Sequence, residues 1–325
     1  MIPVAIVTGF LGSGKTTLIR RILRDPAFAR TAVIVNEFGE IGIDHELIAS
    51  SEETLLALTT GCLCCAVRSD LVATLLDLQH RREAGEIAYE RVLIETSGLA
   101  DPAPILHALM TDRDILRLHA IDGVVTVVDA LHGEATFERH PEAQRQVALA
   151  DTLLLSKCDL AAPEDALLGR LAALNHEAAP RSTHDVVPAL LFAGTSVPER
   201  FAALPDAAAG NPLAQARHSD GIATFTLQRD RPVPALALAL LLEALAEHCG
   251  ARLLRLKGLV DIAEMPGQPA VIHGVQHVVA PPEFLDRWPS ADHTTRVVFV
   301  TRGVPRHFPA RLLEVIEQEV REAMA

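Results

Sequence analysis

The first chemistry in the chain is carried by nine consecutive residues. Gly9-Phe10-Leu11-Gly12-Ser13-Gly14-Lys15-Thr16-Thr17 sets a glycine four residues before Gly14-Lys15-Thr16, which is the Walker A spacing. Glycines let backbone N–H groups converge on a phosphate with no Cβ in the way. A helix opening at the same point adds the positive end of its dipole. On this pattern Gly9, Gly12, Ser13, Gly14 and Thr17 form the cradle, Lys15 reaches the β- and γ-phosphates, and Thr16 ligates Mg²⁺.

Arg91-Val92-Leu93-Ile94-Glu95-Thr96-Ser97-Gly98 is an apolar run ending in a carboxylate and then a glycine, a Walker B-like strand. Glu95 would stand beside the Mg²⁺ or its water, and Gly98 would offer backbone to the γ-phosphate. Leu154-Leu155-Ser156-Lys157-Cys158-Asp159 follows another apolar run. Guanine presents N1–H and an amino group on one edge, and one carboxylate accepts from both, whereas adenine presents an acceptor there. Asp159 is the expected guanine reader, with Lys157 lying along the base and bracing the phosphate loop. GTPases usually carry Asn where this chain has Ser156, and one hydroxyl cannot make all the bonds of a carboxamide.

Thiol chemistry is concentrated in Gly61-Cys62-Leu63-Cys64-Cys65. In an extended segment Cys62 and Cys64 point to one side, and a turn brings Cys65 to join them. Three thiolates suit Zn²⁺ or another borderline-to-soft ion, with the fourth position left to His, Glu, water or a partner's cysteine. Cys158 and Cys249 stand alone and are read as ordinary cysteines. Asn36-Glu37-Phe38-Gly39-Glu40-Ile41-Gly42-Ile43-Asp44 carries two glycines, at the place where a γ-phosphate-sensing segment falls in GTPases. Glu37 or Glu40 could touch Mg²⁺, the attacking water or the second metal, and Glu37, Glu40 and Glu95 are the candidates for orienting that water.

The elements that must position these groups follow from the apolar pattern. Short runs at 3–8, 32–35, 91–95, 123–128 and 151–156 read as buried strands. Helical signals lie between them, at 16–24, 69–82, 102–109 and 142–148. Such alternation predicts a mostly parallel sheet covered by helices, an α/β domain over 1–203. Residues 46–48 and 54–58 are weaker and suggest a hairpin before the cysteines. Residues 204–219, with Gly210-Asn211-Pro212, read as a linker. From 220 to 325 come strands at 222–227, 251–260, 270–272, 275–279 and 296–301 and helices at 232–248 and 308–322, a smaller α+β domain.

Composition bounds the partners. The chain has 325 residues, 49% of them hydrophobic, and a formal net charge of −13, which argues against nucleic acid and an anionic membrane. No run reaches the ~18 apolar residues of a spanning helix. With no basic, signal-like start and an odd count of five cysteines, a reducing cytoplasmic setting is expected.

Taken together, these motifs resemble the CobW-type metallochaperone GTPases, relatives of the HypB and UreG nickel proteins. The resemblance spans nearly the whole chain. Its carriers are the Gly9–Thr17 loop, Asn36–Glu40, Cys62-Leu63-Cys64-Cys65, Glu95–Gly98 and Ser156–Asp159, with Leu256-Lys257-Gly258 and Val275-Gln276-His277 in the second half. It implies a P-loop GTPase domain followed by a CobW C-terminal domain. It also implies slow GTP hydrolysis coupled to delivery of zinc or cobalt to a client metalloprotein. The chain departs from the family in Ser156 and in lacking a His-rich tract, with only His218 near the junction, so metal storage is not expected.

The expected switch uses GTP and Mg²⁺ to order residues 37–44 and the cysteine loop, giving metal affinity at Cys62, Cys64 and Cys65, in a monomer or homodimer. Two other classes use some of the same residues. A small-molecule kinase would need the Walker A loop and Glu95 but neither Asp159 nor the cysteines. A redox-sensing nucleotide-binding module would gate on oxidation of Cys64 or Cys65.

Overall fold

The computed structural model describes residues 1–37, 55–59, 64–185, 191–192 and 221–324. The chain divides into two compact units, one of Met1–Ala172 with Ala178–Thr195, the other of Ala173–Glu177 with Ser196–Ala325. The expected linker at 204–219 lies outside the described residues.

In chain order the nucleotide half runs β1 (Ile2–Thr8), α1 (Lys15–Leu23), β2 (Thr31–Glu37), β3 (Leu55–Thr59), α2 (Cys64–Glu83) and β4 (Arg91–Thr96). It continues with α3 (Ala103–Thr111), α4 (Arg113–Leu118), β5 (His119–Asp129), α5 (Gly133–Arg139), α6 (Pro141–Ala148), β6 (Thr152–Ser156), α7 (Asp165–Leu174) and β7 (Arg181–Ser182). The strands form one sheet in the order β3-β2-β4-β1-β5-β6-β7, and every pairing in it is parallel. Parallel strands are buried on both faces, which is why they appear in sequence as unbroken apolar runs. The inner strands are nearly inaccessible, with Val4, Ala5, Ile6, Leu93 and Ile94 fully buried. Helix α1 lays Leu18, Ile19 and Ile22 on Val7, Leu93, Val125 and Leu154.

β1 has β4 on one side and β5 on the other, so the strand order reverses about it. In open parallel sheets the crevice for a ligand lies beyond the carboxyl ends of the strands at such a reversal. The Gly9–Gly14 loop leaves β1 at that point.

Two sequence expectations concern short strands. The segment at 54–58 overlaps β3, which pairs in parallel with β2, Val33 opposite Leu55 through Glu37 opposite Thr59. Residues 46–48 lie outside the described residues. Residues 275–279 are not one strand: Val275 pairs with Val278 across a tight turn in which Gln276 takes a left-handed φ of 53°.

The second unit holds β8 (Ile222–Arg229), α8 (Ala235–Cys249), β9 (Leu253–Val260), β10 (Ala270–Val275), β11 (Val278–Val279), β12 (Glu283–Phe284), β13 (Thr295–Arg302) and α9 (Phe308–Met324). Its sheet is antiparallel, in the order β11-β10-β9-β13-β8, with β12 beside β10. Alternate strand residues such as Phe225, Leu227, Leu256 and Phe299 join Leu238, Leu241, Leu245 and Leu313 of the helices in one core. Among the described residues no helix is long and apolar enough to cross a membrane.

Candidate functional site

The phosphate loop is built by close approach of backbones. Gly9 has φ 144°, and a Cβ there would fall 2.2 Å from the Val127 carbonyl oxygen of β5. Any other residue would push the loop off the sheet. Gly14, at φ 92°, immediately precedes α1. Lys15 opens that helix and is buried, its ammonium donating to the Gly9 carbonyl at 2.9 Å and the Phe10 carbonyl at 3.2 Å. The cation is thereby held over the loop's own backbone. The Ser13 hydroxyl is buried in the loop without a hydrogen-bond partner. Gly12 and Thr17 are exposed.

The Thr16 hydroxyl donates to Glu95 Oε1 at 2.7 Å. Glu95 is buried at the end of β4, next to β1 in register with Val7. Two hard oxygen donors separated by 79 residues in sequence therefore meet beside Lys15. Gly98 lies against the phosphate loop so tightly that a Cβ would sit 2.6 Å from the Leu11 nitrogen. The structure thus gathers Gly9, Ser13, Gly14, Lys15, Thr16, Glu95 and Gly98 in one place.

On the other flank, Ser156 ends β6 beside Gly14 and Lys157 follows in a left-handed conformation, φ 62°. The Lys157 ammonium pairs with Asp129 Oδ2 at 2.6 Å. Burial alone would raise the Asp129 carboxyl. The hydrogen bonds from Lys157 and from the N–H groups of Leu131 and His132 outweigh it and hold the group below the usual carboxylate range. Asp159 is exposed, with Oδ1 3.3 Å from His184 Nε2. A cavity of about 210 Å³ is lined by Phe10 to Ser13 together with Asp129, His132, Gln146 and Lys157, among others.

Glu37 is the last residue of β2, and its backbone lies opposite Thr59. One residue earlier, Asn36 lies opposite Thr96 of β4. Cys64 and Cys65 form the first turn of α2 rather than an extended segment, since the helix begins a turn earlier than the apolar pattern suggests. Cys62 and the side chains of Glu37, Cys64 and Cys65 lie outside the described residues. Among the described residues no group of three or more His, Cys, Asp or Glu stands close enough to hold a metal ion.

Residues 3–184 match the CobW/HypB/UreG nucleotide-binding domain, and residues 222–317 match the cobalamin synthesis protein CobW C-terminal domain. The chain belongs to the CobW/HypB/UreG family. The zinc chaperone YjiA of Escherichia coli K12 is 33% identical over all of this chain and 98% of its own length. The crystal structure of Zn(II)-bound YjiA GTPase superposes with a TM-score of 0.74 at 27% identity, covering 97% of this chain and 98% of that one. The zinc-regulated GTPase metalloprotein activator 1 of Saccharomyces cerevisiae is 34% identical over 49% of this chain and 41% of its own.

In this family member, three side chains with no part in the motif analysis also contact the site. Asp129 had an available signal, being a carboxylate at the end of an apolar strand, as Glu95 is. The His140 ring lies tilted against Phe10 of the phosphate loop, with ring centroids 4.4 Å apart and planes at 31°. Gln146 is fully buried and contacts the loop after β4. Neither His140 nor Gln146 carries a local sequence signature.

Proposed function

We propose that this chain is a GTP-hydrolysing metallochaperone that takes up zinc, with cobalt as the alternative cargo, and passes it to a client metalloprotein. The observation that carries the nucleotide half is the Thr16–Glu95 contact at 2.7 Å beside the buried ammonium of Lys15. A hydroxyl and a carboxylate are the hard oxygen donors that suit Mg²⁺, so Thr16 and, directly or through water, Glu95 would hold it. The ion supplies charge neutralisation at the β- and γ-phosphates when bound. Lys15 binds the same phosphates, and Ser13 and the loop N–H groups orient them. Asp159 reads the guanine edge, while Asp129 fixes the Lys157 stem that lies along the base. The names and full-length likeness of the zinc chaperone relatives support both the hydrolysis and the metal.

The cargo site is assigned to Cys62, Cys64 and Cys65, with Glu37 near it. Support comes from strand register. Asn36 stands opposite Thr96, so β2 ends, at Glu37, beside the Walker B-like end of β4. Glu37 stands opposite Thr59, three residues before Cys62. Three residues of chain span at most about 11 Å, so Cys62 is within that reach of the end of β3, the strand paired with β2. Ordering residues 37–44 with GTP tightens the thiolate site, and hydrolysis relaxes it.

Such coupling is reciprocal: if GTP tightens metal binding, metal tightens GTP binding by the same factor. The test is a titration of Zn²⁺ or Co²⁺ against a competing chelator, once with GTP and Mg²⁺ and once with GDP. The expected result is tighter metal with GTP. Equal affinities in the two states would remove the switch from the proposal.

A further inference from the structure

Gln146 on α6 is completely buried, yet only half of its amide is used for hydrogen bonding. Its Nε2 donates to the Gly98 carbonyl at 3.2 Å and to the Ala100 carbonyl at 2.9 Å, while its Oε1 has no partner. Two acceptors on one side fix which way round the amide sits, because the flipped orientation would set oxygen against oxygen twice. The helix that carries it is itself anchored: the Thr126 hydroxyl of β5 donates to the Gln146 backbone carbonyl at 2.7 Å. The preceding residue of α6 adds a contact just beyond the same turn, with Arg145 3.7 Å from Asp101.

The gripped segment is the turn Ser97–Ala100, closed by the Ala100 N–H donating to the Ser97 carbonyl at 3.0 Å. A trans peptide places its C=O and N–H on opposite sides of one plane. Turning the Gly98 carbonyl toward Gln146 therefore turns the Leu99 N–H away from it. The N–H groups of Gly98 and Leu99 donate no hydrogen bond within the chain among the described residues. The same turn lies against Leu11 of the phosphate loop.

We propose that Gln146 is a positioning residue for GTP hydrolysis: it locks the Ser97–Ala100 turn so that its unused N–H groups face the terminal phosphate. This rests on the nucleotide-hydrolysing function proposed above. It acts on recognition of the third phosphate and on turnover, and leaves binding of a diphosphate alone.

The test compares the wild-type chain with Gln146→Leu and Gln146→Met, which keep the bulk and remove the donor. Turnover of GTP, its KM, and the affinities for GDP and a non-hydrolysable GTP analogue are measured. The expected result is a fall in kcat of about tenfold or more, with GDP affinity within about twofold of wild type. The preference for the analogue over GDP should fall by a similar factor. A merely packing role would not change that preference. Unchanged kcat in a variant that binds GDP normally would overturn the inference and leave the functional proposal standing. Equal losses for GDP and the analogue, or loss of GDP binding in both variants, would also overturn it. A wild-type chain that fails to turn over GTP would overturn the functional proposal and this inference with it.

Discussion

Gly98→Ala is the sharpest perturbation that the geometry offers. The added Cβ would lie 2.6 Å from the Leu11 nitrogen, 2.7 Å from Leu11 Cδ2 and 2.8 Å from Leu11 Cα. The leucine side chain is more than half exposed and can swing away, but the nitrogen and Cα belong to the phosphate-loop backbone. Restoring an ordinary contact of 3.4 Å requires the turn and the loop to part by about 0.8 Å. Overpacking of this kind costs about 1–3 kcal/mol, which lowers the melting temperature of a unit this size by several degrees without unfolding it. The effect on catalysis is larger, since a misplacement of about 1 Å between reacting groups costs on the order of 10²-fold in rate. Phosphate release at saturating GTP should therefore fall by about 100-fold, while GDP still binds. A kcat within twofold of wild type, in a variant whose melting temperature is also unchanged, would refute the reasoning that Gly98 is glycine because two backbones meet there.

Lys15→Ala removes an ammonium that now donates to Gly9 and Phe10 and would bind the β- and γ-phosphates. GTP affinity measured by equilibrium binding should fall by roughly 100-fold, the upper end of what one charge-assisted contact supplies. Unchanged affinity would take Lys15 out of the site. Replacing Cys64 and Cys65 together by serine should abolish one-to-one metal binding, measured by metal analysis after chelator dialysis, with GTP affinity near wild type. One equivalent of metal retained in that double variant would count against the thiolate assignment. His119 is buried with neither ring nitrogen hydrogen-bonded, and burial, aided by the nearby Arg82 charge, pulls its pKa to about 4 from 6.5. Between those values the unfolded chain binds a proton that the folded chain refuses, so stability falls as pH drops from 6.5 to 4, by about 3 kcal/mol in all. Denaturant melts across that range should show this loss in wild type and a shallower slope in His119→Leu. Parallel slopes would show that His119 is charged in the fold.

The parts of the site legible in sequence were contiguous ones. Gly9 to Thr17 lie on one turn between a strand and a helix, and Ser156 to Asp159 lie on one turn after another strand, so spacing alone places their groups together. The central strands were legible because burial on both faces leaves them uniformly apolar. Short helices such as α4 and α5, at six and seven residues, were not, since two turns give too few positions to establish a period. What starts α4 is local chemistry: the Asp112 side chain accepts from the N–H groups of Asp114 and Ile115. That the apolar run near residue 54 would lie parallel to β2 was not legible, because a short apolar strand carries no mark of its partner.

By itself, the sequence determined that this chain binds a nucleotide phosphate and that three thiols stand close together, because both properties live within a few covalently linked residues. Tertiary structure decided which distant groups meet at the loop. Thr16 reaches Glu95 because β1 and β4 are neighbours in register, and Lys157 finds Asp129 because β5 and β6 are. Gln146 comes to grip Gly98 and Ala100 because α6 is anchored to β5. A carboxylate or an amide has no chemistry of its own to announce until the sheet order fixes what stands opposite it.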